Sequence, residues 1–237
     1  MKKLFTYFSK TEWLLWCMSI TVTILAFCLF DRRGYATLLA SLVGETALIF
    51  IAKGNPIGQL LMIAFGTFYG VISFRCAYYG ETLTYVGMTV PMSVFSLISW
   101  LKNPYKGNKA EVTINRLSAK EIAFALCLTP VVTFGFYYVL RAFGTANLAT
   151  STLSVATSFL AVYLTFRRSP FFSLAYALND IVLIALWLFA SIQDTTYVSV
   201  ITCFSVFLIN DLYCFLSWKK REKNQIQTTS SQSLVEE

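Results

Sequence analysis

The chain contains no histidine. That removes the commonest general base and metal ligand, and with it Ser-His-Asp hydrolysis and zincin-like chemistry. Charge is scarce too: 13% of residues are Asp, Glu, Lys or Arg, too few to cover the surface of a soluble domain of this length. No G-x-x-x-x-G-K-[ST] pattern occurs, so the chain does not itself power work with ATP. No arginine-rich periodic helix suggests a voltage sensor. The six cysteines (Cys17, Cys28, Cys76, Cys127, Cys203, Cys214) lie inside apolar runs without metal-ligand spacing and read as free thiols packed among helices. These absences leave no cofactor or metal to assign.

Long apolar runs dominate instead. Hydrophobic residues make up 57% of 237, and mean hydropathy is +0.63. A bilayer core of about 30 Å takes roughly 20 apolar residues per helix, so the chain is filled by its spans. Eight segments are predicted, over about 12–30, 35–52, 56–80, 82–101, 119–142, 147–166, 170–191 and 195–218. Residues 1–218 are one transmembrane domain, and no loop is long enough for a soluble one. The N-terminal run follows basic residues as a signal peptide does, but its length and the lack of a small-x-small cleavage pattern before Asp31 favour a retained helix. Residues 219–237 have almost no apolar content and are predicted to be a disordered cytoplasmic tail.

The net charge of +7 does not indicate a nucleic-acid partner, because the basic residues cluster between apolar runs. With the N-terminus inside, fifteen Lys and Arg fall on inner segments and four (Arg32, Arg33, Arg75, Arg141) on or near outer ones. An odd number of spans would move the C-terminal cluster outside. The bias therefore predicts eight helices with both termini cytoplasmic.

The spans repeat. Residues 35–101 and 147–218 share their punctuation: a basic residue and a proline after the first helix (Lys53, Pro56; Arg167, Pro170), then an acidic turn leading to tyrosine (Glu81 to Tyr85; Asp194 to Tyr197). Both close on Ser-Trp and a lysine nearby (Ser99-Trp100, Lys102; Ser217-Trp218, Lys219). Three helices reverse direction, so two copies lie parallel only if one more helix, 119–142, joins them. The predicted fold is all-α, two parallel three-helix repeats plus that linker and an extra N-terminal helix. Parallel repeats of this kind bind solute between them near mid-membrane.

Polar side chains inside spans are costly and are candidates for function. They are Glu45, Asn179, Asp180, Asn210 and Asp211. At about 1.5 Å per residue, the three carboxylates fall roughly 10–15 Å above the cytoplasmic interface, in one layer. Helical spacing groups Tyr176, Asp180 and Trp187 on one face, and Cys203, Asn210, Tyr213 and Ser217 on another. Asn179 and Asn210 are read as substrate-facing; for the carboxylates, helix-to-helix hydrogen bonding competes evenly. Trp187 is placed to stack on an aromatic ligand or to pack in the core. Trp100 and Trp218 are read as interface anchors. Gly66 and Gly70 flanking Tyr69 suggest close helix packing. This reasoning reaches a small-molecule transporter with a polar, aromatic site and stops short of the solute.

YGETLTYVGM, SLISWLKNPY, YALNDIVLIALW and FLINDLYCFLSWKK resemble the nicotinamide riboside transporter (PnuC) family, in the form found in Gram-positive bacteria. The resemblance runs from residue 35 or so through Lys220. It departs at Ser96 and Cys214, where the family usually has glycine; both residues are small. The resemblance implies a SWEET-like fold, often a homotrimer, and facilitated uptake of nicotinamide riboside followed by trapping through a cytoplasmic riboside kinase. The riboside's cationic pyridinium suits stacking by Tyr176, Trp187 and Tyr213, amide or ribose contacts from Asn179 and Asn210, and charge balance from Asp180, Asp211 or Glu45. Relatives that carry thiamine or riboflavin would use the same fold. A membrane-embedded receptor or enzyme using the carboxylates is the alternative of another class.

Overall fold

A computed structural model describes residues 7–75, 78–145 and 147–233. Among them are eight helical segments long and apolar enough to cross a membrane. They are α1 (Lys10–Phe30), α2 (Tyr35–Ala52), α3 (Ile57–Arg75), α4 (Tyr79–Lys102), α5 (Ala119–Ala142), α6 (Leu148–Phe166), α7 (Phe172–Ser191) and α8 (Val198–Ser233). The predicted boundaries hold to a few residues, except that the third span ends at Arg75 rather than at residue 80 and the eighth continues past residue 218. Cys76 lies outside the described residues; the other five cysteines are free thiols.

Local chemistry sets the ends. Ser9 and Ser118 each form a capping box with a glutamate three residues on, Glu12 and Glu121, which satisfies orphan N–H groups. At the C-termini of α2 and α6 the chain turns through a left-handed residue, Gly54 (φ 67°) and Arg168 (φ 57°). In both, the next N–H reaches back to a helix carbonyl, Asn55 to Phe50 and Ser169 to Leu164, each at 3.0 Å. That is the Schellman closure, and in both copies proline follows to start the next helix.

The helices pack as two exchanged halves. α2 lies against α3 and α8, and α6 against α7 and α4, so the first helix of each repeat packs on the last helix of the other. The tryptophans closing α4 and α8 fix this exchange. Trp100 Nε1 donates to the Thr165 carbonyl at 3.0 Å, and Ser99 Oγ to the Phe166 carbonyl at 3.0 Å. Trp218 Nε1 donates to the Ile51 carbonyl at 2.8 Å, and Ser217 Oγ to the Ala52 carbonyl at 2.9 Å. Each hydroxyl–indole pair thus satisfies carbonyls that the end of an α-helix leaves open. Both indoles are 0% exposed, with ring centroids 5.3 Å apart. They are therefore not interface anchors: their N–H groups are drawn inward by helix ends, where lipid-facing indoles would turn theirs to water.

The segment joining α4 to α5 is more ordered than a polar loop. It forms a hairpin, Pro104–Tyr105 with Asn108–Val112, turned by Lys106 and Gly107, both at positive φ, as a primed turn requires. Beyond it the strand straps the basic end of the bundle. Val112 N–H donates to the Gly54 carbonyl and Asn115 N–H to the Arg168 carbonyl, so one strap touches the matching turn of each repeat.

The C-terminal tail also departs from expectation. Rather than being disordered, α8 runs on to Ser233. Neighbours supply what its own composition lacks. Gln225 accepts from Ile114 N–H and donates to the Val112 carbonyl. Arg221 pairs with Glu111 at 3.0 Å, and Glu222 with Lys219 and Arg116. α1 docks on α2 and α8. By contrast α5 contacts α6 and turns Phe124, Leu126, Val131, Phe134 and Tyr138 outward.

Replacing Trp218 by Phe keeps an aromatic ring and removes the donor, leaving the Ile51 carbonyl with the Gly54 N–H of its own turn. The expected loss from the bond is about 0.5–1.5 kcal/mol, read as a lower midpoint of thermal unfolding in detergent. An unchanged midpoint would show that the indole bond adds nothing.

Candidate functional site

The two repeats enclose a central cavity between α3, α4, α7 and α8, bounded also by α2 and α6. α7 contributes Tyr176, Asn179 and Asp180, and α8 contributes Phe204, Phe207 and Asp211. The first repeat adds Gln59, Met62 and Phe65 from α3 and Tyr85 and Thr89 from α4. The space is about 20 Å³, room for about one water, so the bundle is closed around it. Phe172 forms the floor, touching both Trp218 (4.8 Å) and Trp100 (6.5 Å). At the other end Trp187 Nε1 donates to Tyr69 Oη at 2.8 Å, tying α7 to α3, while Tyr69 lies 4.4 Å from Tyr85 between ring centroids.

Asn179 is held by its acceptor. Thr157, Ser158 and Ser154 of α6 all donate to Asn179 Oδ1, at 2.8, 2.9 and 3.4 Å. With the oxygen so engaged, the amide NH2 is the group left for the cavity that Asn179 lines. Asp180 and Asp211 meet across the α7–α8 contact. Both are at most 3% exposed, and each keeps one oxygen without a hydrogen-bond partner. Among the described residues no lysine or arginine forms an ion pair with either. Two touching carboxylates need a shared proton or a cation beside them.

The remaining candidates lie elsewhere. Asn210 donates to Ser19 Oγ of α1 and to the Val206 carbonyl; it joins α8 to α1 and does not line the cavity. Glu45 accepts from Thr23 of α1, on the side of α2 that faces α1. Tyr213 meets Ser9 and Glu12 near the start of α1. The predicted face of the last helix was thus rotated: Phe204, Phe207 and Asp211 face the cavity, and Asn210 and Tyr213 face the added helix. Trp187 is buried above the cavity rather than in its wall.

Several lining residues escaped the sequence reading. Gln59 is 2% exposed with its Nε2 unpartnered; an amide three residues after the repeat's proline was a usable signal. Ser154, Thr157 and Ser158, spaced i, i+3, i+4, marked the polar face of α6. Tyr85 and Thr89 reach the wall through a π-turn, Tyr85–Thr89, inside α4. Pro91 accounts for it, since it has no N–H for the Gly87 carbonyl and its ring crowds that carbonyl. Gly66 and Gly70 do mark close packing, because a Cβ at either would meet Val90 or Val86 of α4.

Comparison with known proteins places these features. Residues 34–220 match the family model described as nicotinamide mononucleotide transporter. The chain is 22% identical over 218 residues to the nicotinamide riboside transporter PnuC of Neisseria mucosa, covering 90% of this chain and 82% of that protein. The crystal structure of the vitamin B3 transporter PnuC superposes with a TM-score of 0.81 at 20% identity, covering 92% of this chain and 94% of that one.

The carboxylate pair makes a stability prediction. In Asp211→Asn the amide supplies permanently the donor that a shared proton otherwise has to supply, so the thermal midpoint is expected to stay at or above wild type at neutral pH and to fall less than wild type as pH is raised. Measuring the midpoint of both proteins across pH checks this; a parallel fall in the two would show that the pair holds no shared proton.

Proposed function

Because this chain belongs to the nicotinamide mononucleotide transporter family, we propose that it carries nicotinamide riboside across the bacterial cytoplasmic membrane by facilitated diffusion. The observation that carries this reading is the Asp180–Asp211 pair, two buried carboxylates without a fixed cation in a wall of aromatic rings. A pyridinium riboside brings the missing positive charge. Tyr176, Tyr85 and Phe65 offer rings for stacking and cation–π contact. The Asn179 NH2 and Gln59 can hydrogen-bond the carboxamide or ribose. Asn210, Glu45 and Tyr213 hold helices to α1 and take no part in contact with the solute.

Ligand sites of this kind occupy roughly 300 Å³ or more, so the present state is closed and the solute enters by movement of the repeats. Parting Trp187 from Tyr69 opens the cavity to one side, and parting the two Ser-Trp pairs opens it to the other. The excess of Lys and Arg at the Ser-Trp end supports a cytoplasmic location for that end and for both termini. No ATP site drives the cycle, and trapping falls to a cytoplasmic riboside kinase that adds a phosphate. The outward aromatic face of α5 suits contact with lipid and with neighbouring protomers in a homotrimer. The quoted motifs support a place among the Gram-positive forms of the family.

Purified protein is expected to bind nicotinamide riboside with a Kd of roughly micromolar or tighter, and more tightly than thiamine or riboflavin. Preference for one of those would keep the fold and overturn the solute. Within the site, Asn179→Leu keeps the volume and removes the amide without adding charge. Riboside affinity should fall at least about tenfold while the protein still elutes as a folded single peak in detergent; retained affinity would take Asn179 out of the site.

A further inference from the structure

One buried carboxylate is not used by the cavity. Glu81, in the first turn of α4, is 1% exposed, and neither of its carboxylate oxygens has a hydrogen-bond partner. Among the described residues no lysine or arginine pairs with it. A glutamate that only glues helices ends on a hydroxyl or an amide, as Glu45 does on Thr23; leaving both oxygens bare is costly. The hydroxyls of Tyr69 and Tyr85 lie within electrostatic range of it, without a hydrogen bond to either oxygen.

Those tyrosines belong to a cluster that continues toward the end of the bundle away from the termini. Trp187 packs on Tyr69 (6.3 Å), on Tyr78 (4.8 Å) and on Tyr197 (5.2 Å), and Tyr78 on Tyr197 (6.3 Å). Rings from α3, α7 and the turns that precede α4 and α8 therefore meet at Trp187 and Tyr78, the latter three residues before Glu81. An aromatic enclosure with an anion at its base is the chemistry that selects a flat organic cation. The place is also on a route: Glu81 and Tyr85 are one turn apart on the same face of α4, and Tyr85 lines the central cavity.

We propose that Glu81, with Tyr69, Tyr78, Trp187 and Tyr197, forms an outer station that receives the cationic ring of the solute before it passes to the Asp180–Asp211 cavity. This rests on the riboside reading above and assigns a charge-recognition role to a residue outside that cavity. In the closed state the rings fill the station with one another. When Trp187 releases Tyr69, the same movement uncovers Glu81 and the cavity roof, so admission and charge recognition are one event.

The test uses the full-length protein in detergent and two ligands of nearly equal shape: nicotinamide riboside, a cation, and its reduced dihydropyridine form, which is neutral. Glu81→Gln keeps the volume and removes the charge. The variant is expected to associate with the cation at least about tenfold more slowly while its association with the neutral form stays within about twofold. Unchanged association rates for both ligands overturn the proposal, and so does equal slowing of both, which would make Glu81 a packing residue. If the variant does not fold, wild-type protein supplies the answer. A hydrophobic carbodiimide should modify Glu81, and the cationic riboside should protect it, as read by peptide mass mapping; modification undiminished by the ligand overturns the proposal. Wild-type protein that binds neither ligand defeats the riboside reading itself, an outcome distinct from failure of Glu81→Gln alone.

Discussion

The exchange of indole and hydroxyl donors between the two repeats is the contact on which the rest of the structure depends. A helix ending inside a membrane protein leaves carbonyls open, and lipid offers nothing to satisfy them. Here the ends of α2 and α6 are closed by Ser217-Trp218 and Ser99-Trp100, each pair reaching from the other repeat. Each repeat closes its first helix only in part with its own turn, and the other repeat supplies the remaining donors. The duplication is thereby a mutual dependence, and the pseudo-twofold relation follows from it. Phe172 rests on both indoles, so the same contact supplies the floor of the cavity. The strap at 112–115 and the long α8 lie over it, bonded to the turns at Gly54 and Arg168. Each bond is worth about 1 kcal/mol net where water can replace it. A closure made of a few such bonds near an aqueous face is firm enough to populate and weak enough to release.

Within that symmetric frame the walls are unlike. Counted from the repeat prolines, Met62 and Phe65 stand where Tyr176 and Asn179 stand in the second repeat. Counted from the closing tryptophans, Ser93 stands where Asp211 does. Both repeats supply rings and the first adds the Gln59 amide, whereas the carboxylates and the fixed Asn179 amide come from the second alone. The π-turn at Tyr85–Thr89 has no counterpart in α8, which stays α-helical through the matching stretch. Duplication set the backbone, and divergence placed the carboxylates of the cavity on one side of it. That asymmetry suits a solute whose positive charge sits in a flat ring at one end.

The span count, the repeat and its joining helix were legible because they follow from hydropathy, charge and punctuation, which act through short stretches of chain. Tyr176, Asn179 and Asp180 were legible too, since α7 has its partners on the side that its polar residues mark. The last helix was misread for a physical reason. α8 is gripped by the cavity on one side and by α1 on another, and both faces carry polar residues. Asn210 next to Asp211 gives no sign of which one faces Ser19 and which one faces Asp180. Glu45 was indistinct in the same way, since α1 carries Thr23 at a depth that only the packing reveals. The tail was misread because its order is borrowed from Glu111, Val112 and Ile114, more than a hundred residues away in sequence. Trp100 and Trp218 sit at the depth of interface anchors, and depth alone cannot tell an indole that faces lipid from one that faces a helix end.

Carboxylates without fixed counter-ions then take on a common meaning. A carrier for a permanently charged ring must hold that charge inside a low-dielectric bundle, where an isolated ion is strongly disfavoured. Had lysine or arginine been built beside Asp180, Asp211 or Glu81, the positions would be satisfied at rest and closed to a cationic solute. Leaving them unpaired destabilises the empty bundle and makes the solute itself the missing partner. The penalty also sets an upper limit on how tightly the ring can be held, because affinity at one station must be low enough to let it reach the next. Two stations in series, one at Glu81 under the aromatic roof and one at Asp180–Asp211 over the Phe172 floor, divide the stabilisation so that neither becomes a trap. Passive transport requires this: with no ATP site to eject the solute, the path must bind the cation at every point and hold it at none.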